Sequence, residues 1–239
     1  MSDLNSKVAF ITGGSKGIGY GVAEALIREG MRVAITSRSL AAAQKAAEQL
    51  NQIKPKAALG LEADVRDFSA QQKAVEETVN QFGQIDLVFA NAGLGHFASI
   101  EDMEPEKWNE VIDTNLTGVF YTVKASLEAL TKSKGFLITL SSLAGTNFFP
   151  TGSAYNASKF GLTGFTQSIM LDLRQHGIRV STIMPGSVAT YFNGHTPTEE
   201  DAWKIQPEDI GEMTVNLLKL NPRTLPSKIE VRPSMPPKK

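Results

Sequence analysis

Short apolar segments rich in β-branched residues alternate along this chain with longer amphipathic segments. The predicted strands are Val8–Thr12, Arg32–Thr36, Ala57–Glu62, Leu87–Ala90, Phe136–Leu140, Arg179–Met184 and Lys228–Val231. The predicted helices are Ile18–Arg28, Ala41–Asn51, Ser69–Phe82, Pro105–Lys132, Ser153–His176 and Pro207–Leu218. Near-continuous apolar strands are typical of parallel sheets that are buried on both faces. The alternation predicts an α/β fold, with a doubly wound parallel sheet of about seven strands and helices on both faces.

The composition excludes several classes of function. The chain has no cysteine, so disulfides, thiolate catalysis and cysteine-based zinc sites are excluded, and we predict no metal site. A net charge of −1 argues against a nucleic-acid partner, which would require a basic patch. The terminal Lys238-Lys239 pair is too short for such a patch and is interpreted as a solvated tail.

No apolar segment approaches the roughly 20 residues that a membrane helix needs, so no membrane partner is expected. The polar N-terminal segment lacks the pattern of a signal peptide, and the expected location is the cytoplasm. No segment is long enough to separate domains, so residues 1–239 are predicted to form a single domain.

A glycine-rich turn follows the first predicted strand and precedes a helix. Its sequence is Thr12-Gly13-Gly14-Ser15-Lys16-Gly17-Ile18-Gly19. Gly13 can adopt a tight turn, Gly17 allows the backbone to approach a pyrophosphate, and Gly19 permits close packing of the helix against the strand. The N–H groups at the helix N-terminus favour phosphate binding. The turn is not a P-loop, and its position favours a Rossmann-type dinucleotide site over an ordinary turn.

The residues after the second predicted strand bear on the choice of cofactor. In dinucleotide-binding folds, an acidic residue at this position binds the ribose 2′-hydroxyl of NAD. Here the positions are occupied by Ser37 and Arg38. Arg38 can pair with a 2′-phosphate, and Lys16 can add a second positive charge. The pattern favours NADP(H) over NAD. The alternative is that Arg38 and Lys16 are ordinary solvated surface residues.

Tyr155 and Lys159 lie four residues apart in a predicted helix, on the same face. A phenol has a pKa of about 10, and a nearby ammonium lowers it. The pair is therefore a candidate for general acid–base catalysis. The motif alone is common, and a surface tyrosine beside a solvated lysine is the alternative interpretation.

Further polar residues are expected near this pair. Ser142 follows the strand Phe136–Leu140, where it can donate a hydrogen bond to a substrate carbonyl. Asn91 begins an Asn-Ala-Gly segment at the same sheet edge. Asn115 lies within the long predicted helix, where asparagine is locally unfavourable and often marks a kink or a buried polar contact. A helix cap for Ser142 and a structural kink for Asn115 are the alternatives.

With these residues in this order, the chain resembles the short-chain dehydrogenase/reductase family over nearly its whole length. The matched pieces are Gly13–Gly19, Asp64-Val65, Asn91-Ala92-Gly93, Asn115, Ser142, Tyr155, Lys159 and Pro185-Gly186-Ser187-Val188-Ala189-Thr190. The resemblance implies that Tyr155 protonates the carbonyl and that Ser142 orients it. It also implies that Lys159 lowers the Tyr155 pKa and binds the nicotinamide ribose, and that Asn115 holds a water in the proton path.

The resemblance also implies a set of cofactor contacts. Asp64 and Val65 would contact the adenine, Asn91 would line the cleft, and Thr190 would lie near the nicotinamide carboxamide. The full expected set for NADP(H) is Gly13, Ser15, Lys16, Gly17, Ile18, Gly19, Ser37, Arg38, Asp64, Val65, Asn91, Ala92, Gly93, Tyr155, Lys159, Pro185, Gly186, Val188 and Thr190.

The expected activity is hydride transfer between NADP(H) and a small carbonyl or secondary-alcohol substrate. Many ketoacyl reductases of the family carry Asp-Gly-Gly after the last strand; here Ile229–Pro233 occupies that place, so a ketoacyl-carrier substrate is less expected. The loop Tyr191–Gln206, which would form the substrate lid, is short and suggests an open pocket. The candidate pocket residues, for which core or lid packing is the alternative, are His96, Phe97, Ala144, Phe148, Phe149, Tyr191 and Phe192.

Small residues on the predicted helix after Tyr155 suggest close packing against a second copy. They are Ala157, Gly161, Gly164 and Ser168, and with the long helix they resemble the family's dimerising helix pair. We expect a homodimer or homotetramer. Two other functions are open: a non-catalytic NADP-binding sensor, and an NAD-dependent alcohol dehydrogenase. A sensor would have no reason to keep the four catalytic candidates together, and the Ser37-Arg38 pair argues against NAD.

Overall fold

A computed structural model describes residues 3–235; the Lys238-Lys239 pair lies outside the described residues. Its strands are β1 (Val8–Ile11), β2 (Arg32–Ser37), β3 (Ala58–Glu62), β4 (Leu87–Ala90), β5 (Phe136–Leu140), β6 (Arg179–Pro185) and β7 (Lys228–Val231). They form one parallel sheet in the order β3-β2-β1-β4-β5-β6-β7. The predicted doubly wound sheet is confirmed, with each strand within one residue of its predicted bounds.

Helices cover both faces of the sheet. They are α1 (Gly17–Arg28), α2 (Leu40–Ile53), α3 (Phe68–Phe82), α4 (Pro105–Ile112), α5 (Gly118–Ser133), α6 (Ser153–Leu173) and α7 (Pro207–Lys219). Alternate strand residues face opposite layers because successive side chains of a strand point to opposite faces. In β1, Ala9 and Ile11 pack with α1, α2 and α7, whereas Val8 and Phe10 pack with α3, α5 and α6. The described residues contain no helix long and apolar enough to cross a membrane.

The long predicted helix from Pro105 is interrupted where the sequence predicts a kink. A single π-helical turn, Asp113–Thr117, lies between α4 and α5 and contains Asn115. Such turns occur mostly as local bulges and are frequent at functional sites. The turn places Asn115 against Leu94, beyond the carboxyl end of β4, where the candidate site lies.

Helix α1, which begins at the glycine turn, is held closely by α7. A Cβ atom added at Gly21 would lie 2.7 Å from the carbonyl of Pro207, and one at Gly211 would lie 2.7 Å from the Gly21 carbonyl oxygen. The two helices therefore approach through glycine on both sides. This contact fixes the helix whose N-terminus faces the phosphate turn, and it was not predicted from the sequence.

Candidate active site

Because all seven strands are parallel, the residues that follow them collect along one edge of the sheet. The glycine turn follows β1 and Arg38 follows β2. Asn91, Ser142 and Gly186 follow β4, β5 and β6. The structure thus brings the candidate site residues to the carboxyl edge, as predicted for a doubly wound sheet.

The glycine turn is tied to the end of β4. Gly13 and Gly17 have φ values of +64° and +58°, which favour glycine. The Asn91 Nδ2 donates to the carbonyl oxygens of Thr12 and Gly13 at 2.8 and 3.0 Å. The Thr12 hydroxyl accepts from the backbone N–H of Asn91 and Ala92 at 3.0 and 3.1 Å. Asn91 therefore shapes the turn, a role that sequence reasoning did not assign to it.

Gly19 packs differently from the prediction. A Cβ atom there would lie 2.6 Å from the Gly13 carbonyl oxygen and 2.7 Å from Asn91 Nδ2. Its close neighbours therefore belong to the turn and to Asn91 rather than to a strand. A side chain at Gly19 would push α1 away from the turn.

The start of α1 fits the pyrophosphate of a dinucleotide. Within the described residues, the N-cap position, Lys16, provides no side-chain hydrogen bond to the helix, so the N–H groups of the first turn are available to a ligand. Gly17 faces the segment after β6, since a Cβ atom there would lie 3.5 Å from the Thr190 side chain. Ser15 and Ile18 lie half-buried in the same turn.

The adenosine side of the expected cofactor site carries three charged residues. Ser37 ends β2, and Arg38 beyond it is exposed. The Asp64 carboxylate accepts from Arg66 Nη2 at 2.6 Å and from Arg66 Nε at 3.1 Å. That hydrogen bond holds the pKa of Asp64 below its ordinary value, and the charge of Arg38 contributes in the same direction. Val65 is buried against Gly118 at the start of α5.

Tyr155 and Lys159 lie side by side in the first turns of α6. The Lys159 Nζ lies 5.7 Å from the centroid of the Tyr155 ring. Lys159 is 4% exposed, and its Nζ donates to the Leu140 carbonyl oxygen at 2.9 Å. Burial lowers the pKa of Lys159 from its ordinary 10.5 to about 8. The predicted side-by-side arrangement is therefore present, with the lysine deeply buried rather than solvated.

The pKa of the Tyr155 phenol is raised, whereas the sequence analysis predicted that it would be lowered. Burial raises the pKa of Tyr155 above its ordinary value, and the Ser142 hydroxyl offsets part of this rise. Burial disfavours the charged phenolate, and this effect exceeds the neighbouring favourable interactions. In the chain by itself, the phenol is therefore held in its proton-carrying form.

Ser142 has the capping role that the sequence analysis gave as its alternative. Its hydroxyl accepts from the Ala144 N–H at 3.1 Å and so caps the short 3₁₀ turn Leu143–Gly145. The same hydroxyl favours the phenolate of Tyr155 and so limits the rise in the Tyr155 pKa. It also donates weakly to the Pro185 carbonyl oxygen at 3.4 Å, which joins the ends of β5 and β6.

Asn115 is fully buried and joins three segments. Its Oδ1 accepts from the Leu94 N–H at 2.9 Å, and its Nδ2 donates to the Leu94 carbonyl oxygen at 2.8 Å. The Nδ2 also donates to Ser158 Oγ at 3.0 Å. Gly93 fits against this network, since a Cβ atom there would lie 3.2 Å from Asn115 Oδ1 and 3.7 Å from Lys159 Nζ. Sequence reasoning identified Asn115 but missed Leu94 and Ser158, which no local pattern marks.

The segment expected to hold the nicotinamide is fixed by backbone hydrogen bonds. Pro185 ends β6, and Gly186 N–H donates to the Val231 carbonyl oxygen at 2.8 Å. The Ala189 N–H donates to the Ile205 carbonyl oxygen at 2.9 Å. Val188 lies between these contacts and forms a bridge with Ile205. Backbone hydrogen bonds therefore join this segment both to β7 and to the residues just before α7.

Three of the seven candidate pocket residues form an aromatic cluster at Tyr155: Phe97 and Phe192 contact the Tyr155 ring, and Phe149 contacts Phe97. The other four lie in different surroundings. Ala144 is buried, and Phe148 is 86% exposed. The His96 Nε2 lies 2.8 Å from Glu110 Oε2, and the Tyr191 ring lies 5.5 Å from Lys16 Nζ.

Known proteins with a similar sequence and structure share this arrangement of strands and helices. The family model for short chain dehydrogenases matches residues 7–201. An uncharacterized oxidoreductase of Staphylococcus saprophyticus is 32% identical over 234 residues, which cover 98% of this chain and 100% of that protein. A cyclohexanol dehydrogenase of an Acinetobacter species is 37% identical over 224 residues, covering 90% of this chain and 88% of that protein.

A solved structure is similar over nearly the full length. It is an alcohol dehydrogenase from the archaeon Thermococcus sibiricus, complexed with 5-hydroxy-NADP. It is 31% identical with a TM-score of 0.91, and the alignment covers 98% of this chain and 99% of that one. The chain therefore belongs to the short-chain dehydrogenase/reductase family of oxidoreductases.

Proposed function

We propose that residues 1–239 act as one cofactor-binding and catalytic domain that transfers a hydride between NADP(H) and a carbonyl or secondary-alcohol substrate. The observation that carries this proposal is the buried Lys159 ammonium beside the Tyr155 phenol, at the edge of the sheet that also holds the glycine turn. The Acinetobacter relative is named for a secondary alcohol, cyclohexanol, which agrees with this class of reaction.

The residues of the chain fit a dinucleotide along the carboxyl edge. The glycine turn and the N-terminus of α1 would hold the pyrophosphate, Asp64 and Val65 the adenine, and Asn91-Ala92-Gly93 the middle of the cleft. The segment 185–190 would hold the nicotinamide, with Thr190 next to Gly17. When bound, the nicotinamide supplies or accepts the hydride.

The preference for NADP(H) rests on Arg38. Its exposed guanidinium lies close enough to Asp64 to lower the pKa of that carboxyl, which places a positive charge beside the expected adenosine. A guanidinium suits bidentate binding of a 2′-phosphate. The Thermococcus structure and one from Burkholderia cenocepacia, 27% identical, are complexes with 5-hydroxy-NADP and NADP.

Tyr155 is the proton donor in the direction of reduction. As the carbonyl carbon accepts a hydride, the phenol transfers its proton to the carbonyl oxygen, which becomes the alcohol hydroxyl. Ser142, which lowers the Tyr155 pKa, would donate a hydrogen bond to the same oxygen. Lys159, with a pKa of about 8, is mainly protonated near neutral pH and stabilises the phenolate that forms. Reversal of these transfers oxidises the alcohol.

Asn115 supports the return of a proton to this pair. Both hydrogens of its amide nitrogen are already donated to protein atoms, so the side chain can hold a water only through the second lone pair of Oδ1. A water at that position would lie close to Lys159, because Asn115 Oδ1 and Lys159 Nζ both lie near Gly93. The proposed path runs from Tyr155 through Lys159 to this water.

The exposed face of α5 and α6 is the proposed contact with a second copy. A Cβ atom at Gly164 would meet no described atom within 4 Å, and Phe120 and Phe160 are 45% and 43% exposed. Apolar side chains beside an open glycine suit close helix packing between subunits. The protein is proposed to be a homodimer or homotetramer, which light scattering at micromolar concentration can test.

A panel of aldehydes, ketones and diketones, followed by loss of NADPH absorbance, tests the proposed function. Turnover of any member supports carbonyl reduction. Tight NADPH binding without turnover of any member would favour the sensor alternative. Activity restricted to NADH would favour the NAD-dependent alternative.

A further inference from the structure

Three phenylalanine rings from three separate loops form a cluster at Tyr155, in which two rings contact the Tyr155 ring and the third contacts Phe97. Phe97 lies between β4 and α4, Phe149 between β5 and α6, and Phe192 after β6. The ring centroids of Phe97 and Phe192 lie 5.5 and 5.6 Å from that of Tyr155. Phe97 also lies 5.9 Å from Phe149 and 6.3 Å from Phe192. We call Phe97, Phe149 and Phe192 the phenylalanine cluster.

Two glycines make space for these rings. A Cβ atom at Gly95 would lie 2.8 Å from Phe192 Cζ and 2.9 Å from Phe97 Cζ. A Cβ atom at Gly152 would lie 2.6 Å from Phe149 Cε2. Any larger residue at either glycine would displace a ring, so the loop backbone lies directly against the cluster.

The cluster leaves apolar surface uncovered next to the proton donor. Phe97, Phe149 and Phe192 are 37%, 43% and 37% exposed. Ligand sites are lined mainly by apolar and aromatic side chains, with a few polar groups that fix orientation. Here Tyr155 and Ser142 supply the polar groups and the phenylalanine cluster supplies the apolar wall.

Two charged side chains beside this wall have partners within the protein. His96, next to Phe97, pairs with Glu110. Lys159 donates to the Leu140 carbonyl oxygen and lies beside the Tyr155 ring. A carboxylate or phosphate entering among the rings would exchange its hydration for apolar contacts, which is costly.

We propose that the substrate is an uncharged cyclic or aryl ketone, or the corresponding secondary alcohol. Its ring lies against Phe97, Phe149 and Phe192, and its carbonyl is directed to Tyr155. The inference rests on the proposed function, since it assigns the substrate class of the same site. Aromatic pairs prefer edge-to-face or offset contacts with centroids about 4.5–7 Å apart, the range in which the cluster already holds the Tyr155 ring.

Three methyl ketones test this substrate class in the full-length protein with NADPH: acetophenone, its anionic analogue 4-acetylbenzoate, and the small acyclic 2-butanone. We expect kcat/KM for acetophenone to exceed both others by at least about tenfold, because burying the ring is favourable and burying the carboxylate is costly. Equal kcat/KM values for the three ketones overturn the substrate class and leave the proposed function standing. If the protein reduces none of the three ketones and no carbonyl compound in a wider panel, both the substrate class and the proposed function are overturned.

Variants test whether the phenylalanine cluster causes the preference for acetophenone over 2-butanone. Phe97→Leu and Phe192→Leu should each lower kcat/KM for acetophenone by about three- to tenfold, and that for 2-butanone by less than about twofold. Phe148→Leu, in the residue next to Phe149 but 86% exposed, is the matched control and should change neither value. Binding of NADPH checks that each variant is folded. If either variant fails to bind NADPH, Phe149→Leu carries the same expectation. The assignment is contradicted if a variant loses kcat/KM equally for both ketones. It is also contradicted if Phe148→Leu loses as much kcat/KM for acetophenone as the cluster variants do.

Discussion

The amide nitrogen of Asn115 lies 3.0 Å from the hydroxyl oxygen of Ser158, and this hydrogen bond joins the π-helical turn to the start of α6. Ser158 Oγ in turn donates to the Tyr155 carbonyl oxygen at 2.8 Å. Ser158 is completely buried and directly precedes Lys159. The two residues therefore connect the π-helical turn to the helical turns that carry the proposed proton-transfer pair.

Ser158→Ala should destabilise the protein. The substitution leaves one hydrogen of the buried Asn115 amide without its partner, which costs roughly 1–3 kcal/mol. Chemical denaturation measures the loss in the free energy of unfolding. Gln44→Ala, at an exposed position of α2 outside the proposed subunit contact, is the control and should change stability by less than about 0.5 kcal/mol. Equal stability of the two variants would show that the hydrogen bond contributes little.

Burial of Lys159 should make stability depend on pH in the alkaline range. Its pKa is lowered from 10.5 to about 8, so between these values the unfolded chain binds a proton that the folded chain does not. Stability therefore rises with pH across this window. Relative to Lys159→Met, the wild-type protein should gain on the order of 1–3 kcal/mol between about pH 7.5 and 10.5.

Denaturation of both proteins over this pH range measures the difference. Lys124→Met, at an exposed position of α5, is the control and should show no such trend against the wild type. A pH-independent difference for Lys159→Met would mean that the lysine is not desolvated in the folded protein.

Arg38→Asp should shift cofactor preference from NADPH toward NADH. The substitution replaces the cation that is proposed to pair with the 2′-phosphate by an anion that would repel it. Since hydrogen bonds to charged groups contribute about 1.5–3 kcal/mol, the ratio of kcat/KM values should move by at least tenfold. Arg223→Asp, at an exposed turn after α7, introduces the same charge change and should leave the ratio within about twofold. A similar ratio in both variants would remove Arg38 from the 2′-phosphate site.

Much of the fold follows from local sequence. The strands, such as β4 and β5, are short apolar segments bounded by polar or glycine residues, so their bounds could be predicted closely. Tyr155 and Lys159 could be paired because helical spacing alone places them on one face. Asn115 could be assigned to a kink because asparagine is unfavourable inside a helix.

The remaining features depend on residues far apart in the chain. The partners of Asn115, Leu94 and Ser158, come from two other segments and follow no periodic pattern. The rise in the Tyr155 pKa comes from burial, which the local Tyr-x-x-x-Lys spacing does not report. Phe148 and Phe149 are adjacent and chemically identical, yet only Phe149 reaches the phenylalanine cluster.

The most direct test of the account is the rate of carbonyl reduction by Tyr155→Phe. General acid catalysis contributes about 10²–10⁴-fold, so kcat/KM should fall at least 100-fold while the Kd for NADPH stays within about twofold of the wild type. Tyr121→Phe removes a phenol hydroxyl from α5, where the ring packs against Phe68 and Phe120, and should retain full activity. A Tyr155→Phe enzyme that keeps more than about a tenth of wild-type kcat/KM would contradict the assignment of Tyr155 as the proton donor.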